Sequence, residues 1–111
     1  MGANFNFNKV IFGGRLTDNV ELKSTSGGKY FCKFSIAIKD IKGDTDFFNC
    51  TAFNSTAEFI SRYFGKGSSI CIVCHADTNE WTDNSGNKRK SVEFIVDEAT
   101  FVDSKNEEEL W

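Results

Sequence analysis

Aromatic and polar side chains alternate over residues 47–53, the segment whose residue types could do the most chemistry. One face of a strand here would carry Phe47, Asn49, Thr51 and Phe53, and the other face would carry Phe48, Cys50 and Ala52. Trp81 ends a later strand-like segment beside a polar turn. Exposed rings of this kind can stack on nucleic-acid bases of any sequence. The alternative is that this face packs on another sheet or on a second subunit, so that both outward phenylalanines are ordinary core.

Basic side chains flank these rings along the chain. They are Lys33, Lys39, Lys42, Lys88, Arg89 and Lys90. Cations beside exposed rings are what binding of a single nucleic-acid strand requires, because the cations neutralise phosphates while the bases stack. The net charge of −3 does not favour such a ligand, but the charges are unevenly placed. Twelve of the thirteen basic and ten of the sixteen acidic side chains lie in residues 1–96, which leaves that part mildly basic and residues 97–111 strongly acidic.

The four cysteines and the single histidine do not form a metal-binding or catalytic motif. Cys71 and Cys74 are three residues apart in a strand-like segment, so their side chains point to opposite faces. Cys32 and Cys50 belong to no second pair, and we expect reduced thiols that pack as small apolar groups, with no metal and no cofactor. The chain contains no GxSxG, HExxH or GxxxxGK sequence, so no catalysis is expected. An enzyme that uses Cys71, Cys74 and His75 is the least favoured alternative.

Five strands and one helix must position these residues. Period-two alternation predicts strands over residues 8–16, 30–39, 47–53, 69–81 and 90–102. The segment Ser55-Thr56-Ala57-Glu58 predicts a capping box, followed by a helix to about Phe64 with Gly65 as a left-handed C-cap. Small polar residues over 83–87 predict the turn of a long hairpin. The pair Gly13-Gly14 predicts a bulge or a sharp bend of the kind that closes a barrel.

The order of these elements is that of an OB-fold. This fold is all-β, a five-stranded Greek-key barrel, here with one helix between strands 3 and 4. A chain of 111 residues is one domain, and we expect the OB-fold to occupy residues 1–102 and a short acidic tail to occupy 103–111. A composition of 40% hydrophobic and 26% charged residues excludes the wholly disordered and membrane-spanning classes. Residues 1–10 lack the charged and then apolar run of a secretory signal, which indicates a cytoplasmic location.

Four short motifs, found in a fixed order, together carry a family resemblance. They are NKVI with GRLT (8–11 and 14–17), TDF (45–47), YFGKGS (63–68) and WTDNSG (81–86). They are similar to the opening strand and turn, the third-strand entry, the helix exit and the hairpin of the bacterial single-stranded DNA-binding protein family. The resemblance covers nearly all of residues 1–102. It implies an OB-fold that binds single-stranded DNA with little sequence specificity during replication, recombination and repair.

The resemblance also implies roles for individual residues. Phe47, Phe53 and Trp81 match positions of base-stacking aromatic residues in the family. Arg15, Lys23 and Lys66 match basic positions, and we expect them to contact phosphates together with Lys33, Lys39, Lys88, Arg89 and Lys90. Members of the family usually act as homotetramers, so we expect a homo-oligomer, a tetramer in preference to a dimer.

One further segment and one alternative function remain open. Glu107-Glu108-Glu109-Leu110-Trp111 resembles the acidic tip with which many members dock replication and repair enzymes, so we expect a partner-docking tip here. The alternative for this segment is a solvated acidic end. For the whole chain the alternative is an OB-fold protein-interaction module, similar to primosomal proteins, with secondary nucleic-acid binding. Asp77 and Glu80, close before Trp81, favour that module because carboxylates in the groove would repel phosphates.

Overall fold

The computed structural model describes residues 5–102. Strands β1 (Val10–Leu16), β2 (Lys23–Ser24), β3 (Tyr30–Lys39) and β4 (Thr45–Phe53) come first, then helix α1 (Asn54–Tyr63), then β5 (Ser69–Thr82) and β6 (Lys88–Phe101). The five long strands are those that the alternation predicts, whereas two-residue β2 is too short to show a period. Within the described residues, no helix has the length and apolar character that a membrane crossing requires. The tail at 103–111, with the expected docking tip at 107–111, lies outside the described residues.

The long strands form a closed sheet. Antiparallel pairing joins β1 to β5, β5 to β6 and β3 to β4, and a short parallel pairing joins β4 to β6 at Cys50 and Thr51. Strand β1 completes the ring by pairing also with β3, at Arg15 and Leu16. This connectivity, with α1 between β4 and β5, confirms the expected Greek-key OB-fold.

Gly13 and Gly14 lie directly before the seam between β1 and β3, and of the bulge or sharp bend predicted for them, the bulge is wrong. Gly13 and Gly14 keep a regular register with β5, and the register shift of the sheet lies between β5 and β6, where Val73 pairs with Glu98 but Cys74 pairs with Val96. Gly14 serves closure in another way, because a Cβ atom on it would lie far inside van der Waals contact with the Ala37 carbonyl oxygen. A Cβ atom on Gly13 would meet no described atom within 4 Å. The two strands can therefore approach because Gly14 has no side chain.

The core lies inside the barrel and under the helix. Its largest fully buried side chains are Ile36, Ile60, Ile70, Ile72, Cys32, Cys50 and Cys74. Among the phenylalanine rings that pack against this cluster, Phe12 is stacked on Phe48 at a centroid distance of 4.5 Å and Phe94 is edge-on to Phe12 at 5.0 Å. Helix α1 packs on β3, β4 and β6 and buries Ala57 and Ile60.

Helix α1 begins directly after β4, and the predicted capping box is wrong. Asn54 has a φ of 51°, a left-handed conformation that Asn adopts more readily than most residues, and the chain turns there from strand to helix. In the described part of the chain no side chain caps the helix, and Ser55 is already helical.

At the other end of α1, the left-handed C-cap predicted at Gly65 is also wrong. The C-cap is Phe64, which has an extended backbone and donates its N–H to the Ile60 carbonyl at 3.0 Å.

Three hairpin loops in the described chain share one hydrogen-bonding scheme. The loops are 25–29, 40–44 and 83–87. In each loop the N–H of the first residue donates to the carbonyl of the fifth residue, and the carbonyl of the first residue accepts from the N–H of the fourth residue. The fourth residue is always a glycine with φ between 83° and 93°, as a three-residue hairpin loop requires. In the last loop, predicted as a turn, backbone N–H groups led by that of Asn87, together with Arg89, hold the pKa of Asp83 below its usual value.

Candidate nucleic-acid interface

Strands β3 and β4 present a continuous surface to the outside of the barrel. Residues opposite each other in an antiparallel pair share a face of the sheet. The outward-facing pairs are Phe31–Phe53, Lys33–Thr51, Ser35–Asn49, Ala37–Phe47 and Lys39–Thr45. Lys23 of β2 extends the first row, beside Phe31, and Arg15 of β1 extends the fourth, beside Ala37. Rings and cations therefore occupy neighbouring rows of one surface. This surface and its continuation on β5 and β6 are called the outer face below.

The β5–β6 hairpin continues the outer face. The Thr51 hydroxyl donates a hydrogen bond to Glu93 Oε2 at 2.8 Å, so Glu93 lies on the same side of the sheet as Thr51. Alternation along β6 and its pairing with β5 then assign the other members of this side. They are Ser91 and Arg89 in β6 and Asp77, Asn79 and Trp81 in β5.

The three expected stacking residues all lie on the outer face and are all exposed. Phe47 is 63% exposed, Phe53 is 46% exposed and Trp81 is 50% exposed. Phe47 and Phe53 are six residues apart in β4, a separation of about 20 Å. None of the three belongs to the core of the described chain. Sequence reasoning missed a fourth ring on this face, half-buried Phe31. Alternation predicts that Phe31 faces outward, but its position beside Phe53 follows only from the register of β3 and β4.

The expected phosphate contacts divide by position. Lys23, Lys33, Lys39 and Arg15 belong to the outer face, as does Arg89, whose Nε atom lies 2.9 Å from Asp83 Oδ2 in an ion pair. Lys66 lies in the loop after α1, next to Gly67, whose carbonyl accepts a hydrogen bond from Arg15 Nη1 at 2.9 Å. The structure thus brings the loop that contains Lys66 beside Arg15, at the margin of the outer face.

Two expected contacts are not brought to this surface. Lys88 and Lys90 lie opposite Thr82 and Glu80 in the hairpin register, on the side turned away from Trp81. Sequence reasoning could not separate them from Arg89, since the direction of each side chain depends on the register of the hairpin. Glu80, one of the two carboxylates that favour the protein-interaction alternative, also lies on this opposite side.

Between the rings, the outer face contains a polar groove of about 490 Å³. Its walls include Lys33, Asn49, Thr51, Asn79, Ser91 and Glu93. The Glu93 carboxylate is held on both oxygens, by the Thr51 hydroxyl at 2.8 Å and by Asn79 Nδ2 at 3.2 Å. Thr51, expected among the outward-facing residues, is only 3% exposed. Sequence reasoning missed Glu93 because the parallel pairing of β4 with β6, which brings it to Thr51, produces no periodic pattern of residue types in the sequence.

Three of the four cysteines, Cys32, Cys50 and Cys74, belong to the core. Burial raises the pKa of the Cys32 thiol to about 11, of Cys50 to about 12 and of Cys74 to about 11, so these thiols stay protonated near neutral pH. Cys71 is half-buried and turned away from Cys74, as their spacing predicts. His75 Nδ1 lies 3.1 Å from Asp97 Oδ2. Residues 5–102 contain no group of three or more His, Cys, Asp or Glu side chains that could hold a metal ion.

Comparison with known proteins identifies the family. Residues 7–102 match the family model described as Single-strand binding protein family. The Single-stranded DNA-binding protein of Fusobacterium nucleatum subsp. nucleatum is 37% identical over 106 residues, which cover 88% of this chain and 68% of the relative. The protein of the same name from Clostridium perfringens is 32% identical, with 89% of this chain and 68% of the relative covered. Single-stranded DNA-binding protein 1 of Clostridium acetobutylicum is 28% identical, with 90% and 97% covered. The match spans the whole barrel and its outer face, and the chain belongs to the single-strand binding protein family.

Proposed function

We propose that this chain binds single-stranded DNA on the outer face, mainly by stacking bases on Phe47, Phe53 and Trp81. The observation that carries the proposal is that these exposed rings share one face of the sheet with Lys33 and Lys39. Stacking accepts every base, and cations beside the rings neutralise the backbone, so the arrangement suits a strand of nearly any sequence. The names of the relatives support the choice of ligand.

The proposed role is binding and protection rather than catalysis, since stacking and phosphate contacts need no reacting group. Such a protein would coat strands exposed during replication, recombination and repair, in the cytoplasm and in association with the nucleoid. We propose residues 1–102 as the binding domain and 103–111 as an acidic tail. The tip at 107–111 would dock replication or repair proteins, which its carboxylates and its Leu-Trp pair support.

We propose further that the chain forms a homo-oligomer, a tetramer in preference to a dimer. Support comes from apolar side chains that face outward on β1 and β5, where Ile11 is 65% exposed and lies opposite Val73. An apolar strand surface of this kind is suited to burial against a second copy. Joining several outer faces in one particle would raise the affinity for a long strand by linking weak contacts.

The alternative, a protein-interaction module with secondary nucleic-acid binding, draws on a different observation. Asp77 and Glu93 lie opposite each other on the outer face, so two carboxylates stand where phosphates would otherwise approach. Like charges repel a polyanion, which would weaken DNA binding locally. The titration below separates the two functions.

Fluorescence of Trp81 tests the proposed function. In a Trp111→Phe variant Trp81 is the only tryptophan, so its quenching reports on the outer face alone. We expect unstructured oligo-dT to quench the emission, salt to weaken the quenching, and duplex DNA of equal length to have little effect. If oligo-dT does not bind even at low salt, single-strand binding is wrong and the protein-interaction module takes its place.

The position of the cations predicts a difference between two lysines. Replacing Lys39 by alanine should lower the affinity for oligo-dT and reduce the slope of log K against log salt concentration by about 0.7, the contribution of one phosphate contact on a single strand. Lys90→Ala removes the same charge from the opposite side of the hairpin and is the matched control. Titrations over a series of salt concentrations give both slopes. Equal reductions in the two variants would mean that net charge, rather than the outer face, governs binding.

A further inference from the structure

We propose that Phe5 and Phe7 form a slot that takes up one base of the bound single strand, outside the outer face. The inference rests on the proposed single-strand binding and adds a stacking site in the segment before β1, residues 5–9, which we call the arm. The slot accepts any base, because every base has a flat face that can stack on a ring. Neither ring belongs to the four motifs that carry the family resemblance.

Both rings of the arm are open to solvent. Phe5 is 83% exposed and Phe7 is 74% exposed, more than any other phenylalanine in the described part of the chain. Neither ring is among the core residues or the partly buried side chains that pack against them. Two adjacent rings left in water form an apolar patch that a ligand can cover.

The two rings are nearly parallel, and their spacing is close to that of a sandwich around one base. Their planes differ by only 7° and their centroids are 6.3 Å apart. By comparison, the stacked core rings Phe12 and Phe48 have a centroid distance of 4.5 Å. A base between two rings needs about 3.5 Å on each side, roughly 7 Å in all, so the rings of the arm need to separate by about 1 Å or less to admit one.

The arm is fixed to the barrel directly behind these rings. Asn8 Nδ2 donates to the Ala76 carbonyl oxygen at 2.7 Å, and the Ala76 N–H donates to Asn8 Oδ1 at 2.9 Å. The Asn8 side chain thus extends the antiparallel pairing of β1 with β5 beyond its terminal pair, Val10 with Cys74. Because the two strands are antiparallel, the chain before Asn8 heads toward the end of β5 that carries Trp81.

The charges of the arm suit a nucleic-acid strand. Residues 5–9 carry one cation, the exposed Lys9, and no carboxylate, so the arm itself does not repel the phosphates beside a base in the slot. The other candidate occupant is a second copy of the chain, since exposed rings can also be buried in a subunit contact. Parallel rings separated by a gap favour a planar base over branched aliphatic side chains such as Ile11.

A tryptophan placed in the slot tests the proposal. Phe7→Trp is combined with Trp81→Phe and Trp111→Phe, so that the introduced residue is the only tryptophan. We expect oligo-dT to quench its emission, with the midpoint of the binding curve that the anisotropy of labelled oligo-dT gives for the same protein. Tyr63→Trp in the same background is the matched control, because Tyr63 is an exposed aromatic residue of α1, and it should be quenched far less. Equal quenching at the two positions would overturn the slot.

Two substitutions separate stacking from apolar burial. Phe7→Leu keeps an apolar side chain without a ring and should weaken oligo-dT binding about fivefold or more, whereas Phe7→Tyr keeps the ring and should bind like the wild type. Equal affinities of these variants would overturn the slot alone, as would an unquenched tryptophan at position 7 when Trp81 of the Trp111→Phe protein is quenched. A smaller oligomer mass for Phe7→Leu in light scattering would also overturn it and assign the rings to a second copy. If oligo-dT binds to none of these proteins, the proposed function itself is wrong.

Discussion

Replacing Phe47 by alanine should weaken the binding of single-stranded DNA about 5- to 150-fold, which corresponds to the roughly 1–3 kcal/mol that one base contributes by stacking on an aromatic side chain. Phe47 is 63% exposed and lies in one row with Ala37 and Arg15, so its ring is open to a base and a cation is near. Removing the ring takes little apolar surface out of the core. The loss should therefore be almost independent of base sequence and should leave the melting temperature nearly unchanged.

Ile41→Ala is the matched control for this substitution. Ile41 is a large apolar side chain that is fully exposed in the loop between β3 and β4, but it has no ring to stack. Affinities are measured by the Trp81 fluorescence titration in the Trp111→Phe background, and thermal unfolding is followed for each variant. An affinity unchanged in Phe47→Ala would remove this ring from the site. A large fall in its melting temperature would instead return Phe47 to a structural role.

The parts of the fold that a sequence can predict are those with a local period. Alternation identifies all five long strands, and it separates Phe47 and Phe53 from the core residues Cys50 and Ala52. Each of these predictions needs only that successive side chains of a strand point to opposite faces. The same rule correctly puts Cys71 and Cys74 on different sides. The exposed rings of the candidate site were therefore within reach of the sequence.

The parts that it misses depend on how distant segments meet. The parallel pairing of β4 with β6 brings Glu93 to Thr51, forty-two residues away, and no local pattern encodes that contact. The hairpin register decides that Arg89 faces Trp81 while its neighbour Lys90 does not. Local chemistry can also mislead. Residues 55–58 have the composition of a capping box, but the left-handed turn at Asn54 starts the helix before it.

The closing seam of the barrel links the fold to the outer face. Arg15 reaches its row with Ala37 and Phe47 only because β1 pairs with β3 directly after Gly14. Gly14 contributes no side-chain contact, and what it provides is the absence of a Cβ atom where the Ala37 carbonyl approaches. A side chain at this position would have to separate the two strands, or distort one of them, to relieve the overlap.

Gly14→Ala should therefore destabilise the protein by about 1–3 kcal/mol or more, the cost of overpacking a tight site, and lower the melting temperature by roughly 4–8 °C for each kcal/mol. The overlap involves backbone, which cannot rotate away, and a Cβ atom would also come within 2.9 Å of Ile38 Cγ1. Gly13→Ala is the matched control one residue earlier. A methyl group there meets no described atom within 4 Å, so we expect no loss, or a small gain of about 0.4–1 kcal/mol from the stiffer unfolded chain. Thermal unfolding of both variants decides the matter, because equal melting temperatures would mean that the β1–β3 seam yields and that barrel closure does not require glycine at position 14.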